Sequence, residues 1–486
     1  MKETGILMAL SSLPSPYGVG DLGESARDFL RILGENGVSI WQLLPLNPTG
    51  YGNSPYQPYS SFAGDELYLS LEELAAKGLL SQAPAPFRAD SSRVDYDEVR
   101  AWREPILRAA WRAFVPDEGY RTFAAQNWVT DYAVFRAFKK ANGGACWLDW
   151  PAWQRDWPQT HQGDMGPFRE EMDYHIFLQY EFATQWQGVR AFAKEQGVRI
   201  MGDVPFYVGV DSVDVWAGRE NFLLDRDGRP TFIAGVPPDY FSATGQRWGN
   251  PIYNWDKMKQ DGFAFWKARI GYNHTLFDII RIDHFRAFDT YWKIPSSCPT
   301  AEEGAWIEAP GYEVLDTLYR EIPGLELVAE DLGDLRPQVL ELRDHYQLKG
   351  MKVLEFDLDT QGKYVVDLAP ETERQILYTG THDNATLAEW YTSLTAASRR
   401  KVRRWLARQG FGQGAVFQRI AARALAARSQ WVILPLQDVM GLPAWARMNT
   451  PGTVGSPNWE WRLPSLAPAQ QALRALRPQI LARRDA

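Results

Sequence analysis

The stretch FDIIRIDHFR, residues 277–286, decides how the rest of the chain is interpreted. Its apolar, β-branched start predicts a buried strand. Side chains two residues apart on a strand share a face, so Arg281 and Asp283 are predicted to point the same way. A carboxylate beside a guanidinium keeps a low pKa and stays ionised. The pair fits either the nucleophile of a covalent mechanism or a structural ion pair, and this stretch alone favours neither.

Seven further strand-like runs surround this one, and helical patterns separate most of them. The eight runs are 5–10, 38–45, 198–205, 277–286, 326–331, 350–356, 375–383 and 431–436. Eight strands is the count of a closed (β/α)8 TIM barrel, and an open doubly wound α/β sheet is the alternative. No GxGxxG or P-loop glycine pattern follows a strand, which disfavours a nucleotide-binding fold.

The whole chain, 1–486, is predicted to form a single catalytic barrel with three insertions. These insertions lie at about 65–170, after strand two, at about 211–260, after strand three, and at about 385–430, a helical segment before strand eight. Within the second insertion, residues 234–251 carry paired prolines together with Tyr240, Phe241 and Trp248, and we predict a lid loop there. Residues 47–64 are predicted to form an ordered loop that presents aromatic rings, or alternatively a loop pinned to the surface by its tyrosines.

Composition excludes several classes of function. The formal net charge is −8, with 52 basic and 60 acidic residues spread along the chain, so no nucleic-acid or membrane partner is expected. Two distant cysteines exclude a disulfide framework, and no Cys/His spacing suggests a metal. With no signal-like or membrane-spanning segment, we expect a cytoplasmic protein. The 21 Trp, 21 Tyr and 23 Phe suit a neutral sugar substrate, although a core rich in aromatic residues explains most of them.

Four acids are predicted to fall at the carboxyl ends of strands, the face on which barrel enzymes build their sites. They are Asp203, Asp283, Glu330 and Asp383. Such a cluster suits retaining glycosyl transfer, which needs an ionised nucleophile and a protonated acid about 5–5.5 Å apart. Asp283 and Glu330 end consecutive strands and could meet that separation, with Arg281 keeping Asp283 ionised and nearby carboxylates raising the pKa of Glu330.

His284 and His382 each adjoin one of these acids. A metal site is possible with such residues, but the spacing fits no familiar ligand pattern, and hydrogen bonding to sugar hydroxyls is favoured. Three other functions stay open: a glycoside hydrolase, a catalytically silent glucan-binding protein, and a barrel that uses phosphate or nucleotide. The intact set of acids disfavours the second of these, and the missing glycine loops disfavour the third.

Several segments resemble the amylomaltases, the 4-α-glucanotransferases of glycoside hydrolase family 77 in the α-amylase superfamily. The segments are RIDHFR (281–286), AEDLG (329–333), GTHDN (380–384), SLPSPYGVGDLG (12–23), QLLPLNPTGYGNSPYQ (42–57), GDVPFYVGVDSVDVW (202–216), PPDYFSATGQRWGNP (237–251) and RMNTPGTVGSPNWEWR (447–462). The resemblance implies a transferase that moves α-1,4-glucan segments between malto-oligosaccharides or starch-type glucans. It implies no cofactor and a lid around 237–248. We further expect no metal, and a monomer or weak homodimer.

The same resemblance implies roles for individual residues. Asp283 is then the nucleophile, Glu330 the general acid/base and Asp383 the stabiliser of the transition state. Positions that line the donor-sugar subsite in the family are matched by Tyr56, Asp203, Trp248, Arg281, His284 and His382.

Overall fold

The structure is a computed structural model that describes residues 2–88, 91–238, 242–368 and 371–485. Its central sheet has eight parallel strands: β1 (Glu3–Leu7), β2 (Ile40–Gln42), β3 (Arg199–Pro205), β4 (Ile279–Asp283), β5 (Leu327–Ala329), β6 (Gly350–Val353), β7 (Gln375–Tyr378) and β8 (Trp431–Pro435). Their order in the sheet is β6-β7-β8-β1-β2-β3-β4-β5. The two ends of this order, β5 and β6, also meet. The N–H of Ala329, at the end of β5, donates to the carbonyl of Lys349, just before β6, at 3.0 Å. The prediction of a (β/α)8 barrel is confirmed.

Helices cover the outside of the barrel between most strands. Glu24–Glu35 follows β1, Arg169–Glu195 precedes β3, Ala264–Leu276 precedes β4, Gly311–Glu321 follows β4, Pro337–His345 follows β5, and Ala467–Arg484 closes the chain. The first of these buries Ala26, Phe29, Leu30 and Leu33 on one face, as its spacing predicts. Between β6 and β7 the described residues contain only the short helix Leu354–Asp357 and a hairpin of Leu358–Asp359 with Val366–Asp367.

The long connections hold the remaining elements. After β2 come the helices Leu71–Ala76, Tyr96–Ala113, Glu118–Ala124, Asn127–Ala141, Ala152–Arg155 and Trp157–Thr160; after β3, Val213–Ala217 and Trp255–Gln260; after β7, Leu387–Ser393, Ala396–Arg408 and Val416–Leu425; after β8, Leu436–Met440. Short 3₁₀ turns lie at Leu10–Ser12, Tyr51–Asn53, Glu66–Tyr68, Trp147–Asp149, Gly166–Phe168, Arg219–Asn221, Phe285–Phe288 and Ala444–Ala446. The first and third predicted insertions are therefore helical.

A four-stranded antiparallel side sheet was not predicted. Two of its strands, Phe232–Val236 and Gln246–Pro251, come from the connection after β3. The other two, Thr290–Pro295 and Ala305–Glu308, follow β4. The sheet pairs these two connections through Phe232–Val236 and Thr290–Pro295, so the second predicted insertion contributes two strands to a regular sheet.

Burial explains most of the aromatic residues. Seven tryptophans are among the largest fully buried side chains: Trp41, Trp147, Trp186, Trp216, Trp266, Trp431 and Trp461. One hydrophobic cluster includes residues of the barrel strands and of all four long connections. None of the helices in the described ranges combines the length and the apolar character needed to cross a membrane.

Candidate active site

The carboxyl ends of β3 and β4 bring three charged side chains together. The two strands are in register at Asp203 and Arg281. Nη1 of Arg281 donates to both carboxylate oxygens of Asp203 at 2.7 Å and to Oδ1 of Asp283 at 3.1 Å. Arg281 and Asp203 are buried, whereas the Asp283 side chain keeps 30% of its surface exposed. Arg281 and Asp283 thus share a face as predicted, and of the three side chains Asp283 is the most exposed.

Glu330 lies next to Asp283 across two adjacent strands. Ile282 of β4 is in register with Ala329 of β5, so the residues that follow them, Asp283 and Glu330, are neighbours. Parallel strands lie about 4.8 Å apart, which places the two carboxyl-bearing residues close to one another at the barrel mouth. The Glu330 carboxyl accepts hydrogen bonds from the N–H groups of His284 at 2.8 Å and Leu332 at 3.2 Å. These bonds fix its orientation toward the end of β4.

The left-handed backbone of His284 contributes to this arrangement. Its φ of 56° is uncommon for a residue other than glycine. The conformation turns the chain immediately after Asp283 and aims the His284 N–H at Glu330. Backbone strain of this kind persists where surrounding contacts hold it, and here the contact is the Glu330 carboxyl.

The pKa values of the two neighbouring carboxyl groups are raised. Burial raises the pKa of both Asp283 and Glu330, and the charges of Asp203, Glu330 and Asp383 raise that of Asp283 further. Arg281 opposes the rise at both groups. The predicted rise for Glu330 is confirmed. The predicted low pKa of Asp283 is wrong, because Arg281 makes its two shorter contacts with Asp203 and does not offset the burial of the whole cluster.

Asp383 reaches the site from a loop and not from a strand end. Strand β7 ends at Tyr378, which corrects the prediction that the strand continues to Asp383. The strand stops because Oδ1 of Asn384 accepts from the N–H and the hydroxyl of Thr381 and turns the chain. The Asp383 side chain is 47% exposed, and its Oδ1 accepts from Nδ2 of Asn449 at 2.6 Å. The loop returns Asp383 toward the other acids, and its charge acts on Asp283.

Tyr56 and His382 form one wall beside Asp203. The hydroxyl of Tyr56 donates to Oδ2 of Asp203 at 2.7 Å and lies 3.5 Å from Nδ1 of His382. The two rings stack with centroids 5.0 Å apart, and the Trp459 ring lies 5.7 Å from Tyr56. Burial lowers the pKa of His382, so its ring is neutral near pH 7. This wall presents flat apolar faces with polar edges, the surface that a sugar ring needs.

The loop that carries Tyr56 combines both alternatives considered for residues 47–64. Tyr56 faces the acids, whereas the other described rings anchor the loop to its surroundings. The Tyr59 ring lies under the ammonium of Lys139 at 4.7 Å, and Phe62 stacks on Trp128 at 6.1 Å. The anchored rings therefore hold Tyr56 in place.

Trp248 and His284 form a second wall of the site. Trp248 lies on the side-sheet strand Gln246–Pro251 and meets the His284 ring edge-on, with centroids 4.9 Å apart. Burial, with the nearby charge of Arg286, lowers the pKa of His284 to about 3. A neutral imidazole can both donate to and accept from a hydroxyl group. Of the predicted lid loop, Tyr240 and Phe241 lie outside the described residues.

The predicted site residues thus converge on one cleft at the barrel mouth. It contains paired carboxyl groups on adjacent strands, a third carboxylate whose charge acts on Asp283, neutral imidazoles and aromatic walls. Among the residues described, no group of three His, Cys, Asp or Glu side chains is arranged to hold a metal ion. A pair of neighbouring carboxyl groups is the chemical requirement for retaining cleavage of a glycosidic bond.

Comparison with known proteins identifies the family. Residues 8–468 match the family model of glycoside hydrolase family 77, described as 4-alpha-glucanotransferase. The chain belongs to this family. The 4-alpha-glucanotransferase of Thermus thermophilus is 43% identical over 473 residues, which are 94% of each chain, and that of Synechocystis sp. is 42% identical over 94% of this chain and 93% of that protein. The predictions of an amylomaltase resemblance and of 4-α-glucanotransferase activity are confirmed.

A solved member of the glycoside hydrolase family 77 supports the fold as well. The amylomaltase from Streptococcus agalactiae in complex with acarbose superposes with a TM-score of 0.92 at 34% identity. The superposition covers 100% of this chain and 99% of that one. The fold of this chain is therefore similar to that of the Streptococcus agalactiae amylomaltase.

Three residues beside the site were not predicted individually. Asn449 bonds the Asp383 carboxylate, Arg447 donates to the Asp383 carbonyl at 2.9 Å, and Trp459 packs on Tyr56 and His382. All three lie in the segment 447–462, which resembles the amylomaltases but contains no strand end and no carboxylate beside the acids. The match of that segment to the family was the one signal that could have found them.

Proposed function

We propose that Asp283 and Glu330 carry out the glucan transfer of this family by double displacement, with Asp283 as nucleophile and Glu330 as general acid and base. The observation that supports this assignment is their adjacency: consecutive parallel strands in register end side by side in these two residues. A retaining mechanism needs the carboxyl groups about 5–5.5 Å apart on either side of one bond. The backbones of neighbouring strands lie about 4.8 Å apart, which is compatible with that separation of the side chains.

In the first step Glu330 gives its proton to the glycosidic oxygen while an Asp283 oxygen attacks the anomeric carbon. The bond from that carbon to the leaving oxygen breaks, a glucosyl ester forms on Asp283, and the freed glucan leaves with the proton. We assign the proton of this carboxyl pair to Glu330, whose pKa is raised by burial, and the negative charge to Asp283, which accepts from Nη1 of Arg281 at 3.1 Å. Asp383, facing the pair, stabilises the positive charge that develops on the sugar ring.

In the second step Glu330 removes the proton from the 4-hydroxyl of an acceptor sugar. The acceptor oxygen displaces Asp283 from the anomeric carbon and forms a new α-1,4 bond with net retention. Water in place of the acceptor gives hydrolysis. Trp248, at the end of the predicted lid, and the side-sheet strand that carries it favour transfer by covering the site and excluding water.

The remaining predicted residues bind the donor sugar. We assign Tyr56, Asp203, Trp248, Arg281, His284 and His382 to that subsite, and malto-oligosaccharides and α-1,4-glucans as the substrates. Arg281 and Tyr56 hold the Asp203 carboxylate in one orientation. The neutral rings of His284 and His382 then supply hydrogen bonds to hydroxyl groups without adding charge. The cytoplasmic location, the single-domain organisation and the monomer or weak homodimer stay predictions from the sequence.

Incubation with maltotriose tests the proposal. Transfer produces glucose together with oligosaccharides longer than maltotriose, whereas hydrolysis produces glucose and maltose without elongation. We expect elongation, and we expect Asp283→Asn and Glu330→Gln each to abolish it. Asp227→Asn, the same chemical change at an exposed carboxylate, is the control and is expected to keep full activity. Normal turnover by Asp283→Asn would exclude it as the nucleophile.

A further inference from the structure

Contacts with other segments have to hold Asp383 in position, because it lies in a loop beyond the end of β7. Its loop begins after Tyr378, and half of its side chain is exposed, so neither strand pairing nor burial holds it. On one side Asn449 bonds its carboxylate and Arg447 bonds its carbonyl. The other side of the loop is attached to β6 through a separate set of hydrogen bonds.

This second attachment is a chain of hydrogen bonds that begins at Glu355. Glu355 lies two residues beyond the end of β6, and its Oε1 accepts from Nδ2 of Asn384 at 2.6 Å. Oδ1 of Asn384 accepts from the N–H of Thr381 at 2.9 Å and from its hydroxyl at 2.8 Å. The Thr381 hydroxyl accepts from the N–H of Asp383 at 3.3 Å. Each link fixes the next, so the chain connects β6 to the backbone of Asp383.

The environment of Glu355 is costly for a carboxylate with no other task. Its second oxygen, Oε2, is buried and has no hydrogen-bond partner within the described part of the chain. Burial and the charges of Asp438 and Glu389 raise its pKa to about 7, and Arg447 and the Asn384 bond oppose the rise. A buried polar atom without a partner destabilises the fold. Its presence beside an active site is explained if the bond to Asn384 serves the reaction.

We propose that Glu355 is a positioning residue of the glucan transfer, which holds Asp383 in place through Asn384 and Thr381. The inference rests on the proposed role of Asp383 as the group that stabilises the transition state. A stabilising group acts by electrostatics that depend on a fixed geometry, so loosening it lowers kcat more than it weakens binding of the ground state. In this proposal Glu355 acts through its bond to Asn384 and not directly on the reacting atoms.

The test compares Glu355→Ala with Glu355→Gln in maltotriose disproportionation. Loss of one hydrogen bond to a charged group corresponds to about a tenfold fall in kcat, and KM is expected to change less than about twofold. The carboxamide oxygen of Glu355→Gln can still accept from Asn384 and is expected to restore at least half of the wild-type kcat. Glu341→Ala, the same change at an exposed helical position, is the matched control.

Two further variants separate a failure of this inference from a failure of the proposed function. Asn384→Ala removes the middle link and is expected to match Glu355→Ala, with no further loss in the double variant. Asp383→Asn tests the role on which the inference rests, and Glu355→Ala is expected to cause no further loss in its presence.

Wild-type kcat in Glu355→Ala with an inactive Asp383→Asn would overturn the inference alone. An active Asp383→Asn would overturn the proposed role. Thermal unfolding of each variant identifies any that do not fold. If Glu355→Ala does not fold, the kcat of Asn384→Ala takes its place in the test of the inference.

Discussion

Replacing Arg281 with Met is expected to destabilise the protein in a manner that depends on pH. The guanidinium is buried and contacts two carboxylates, Asp203 at 2.7 Å and Asp283 at 3.1 Å. Methionine fills much of the same space but leaves this carboxylate cluster with no cation. Removing one partner of a buried ion pair costs about 3–5 kcal/mol, because the remaining charge is left without compensation.

The sign of the pH dependence follows from the carboxyl groups. Burial already raises the pKa of Asp283 in the folded protein above its unfolded value, and loss of Arg281 raises it further. A group with a raised folded pKa binds more protons when folded, so the stability of the variant falls as the pH rises through that pKa. Each additional unit of pKa corresponds to about 1.4 kcal/mol. The difference between wild type and variant is therefore expected to be larger at pH 8 than at pH 5.

Thermal unfolding at pH 5 and pH 8 measures this difference. For a chain of 486 residues, a loss of about 3–5 kcal/mol lowers the midpoint by roughly 3–5 °C. Arg483→Met is the matched control, because Arg483 is also buried but donates only to backbone carbonyls of Glu3, Leu425, Ala427 and Ser429. Carbonyl groups do not titrate, so its loss is expected to be the same at both pH values. An equal loss at pH 5 and pH 8 for Arg281→Met would refute the reasoning.

Two further predictions concern single groups at the barrel mouth. Tyr56→Phe removes the hydroxyl that donates to Asp203. Loss of this charge-assisted bond is expected to lower kcat/KM for maltotriose about tenfold. An unchanged kcat/KM would contradict the role assigned to Tyr56. Glu355→Gln is expected to unfold at a higher temperature than wild type at pH 8 but not at pH 4.5. The pKa of Glu355 rises from 4.5 to about 7 on folding, so its charge destabilises the wild type by at most about 3 kcal/mol above pH 7. A pH-independent difference in the midpoint would contradict this reasoning.

Strand endings explain which parts of the site could be predicted. Asp203, Asp283 and Glu330 each end or follow an apolar run, and in a parallel barrel all such ends lie at one mouth. Local pattern therefore predicts that these three side chains meet. Asp383 was also predicted at a strand end, but β7 stops five residues earlier, because Asn384 and Thr381 turn the chain. Bonds between side chains and backbone leave no periodic pattern in the sequence.

The side sheet shows a second limit of sequence patterns. Its strands at 290–295 and 305–308 pair with strands from a different connection, and such pairing is decided by partners distant in the sequence. The same holds for Arg281. Its spacing from Asp283 predicts one partner, but the register of β3 against β4 supplies Asp203 as a second and closer one. Spacing along one strand carries no information on the neighbouring strand.

By itself the sequence determined the eight-stranded barrel, the family, and the rim on which the acidic residues lie. These properties follow from apolar runs, their lengths and the residues that terminate them, all of which are local. Only the tertiary structure decided how Arg281 divides its contacts, where Asp383 stands and what holds it. Those features depend on burial and on hydrogen bonds between segments as distant as Glu355, Asp383 and Asn449. The energy of a charge is set by every group around it, and folding alone brings those groups together.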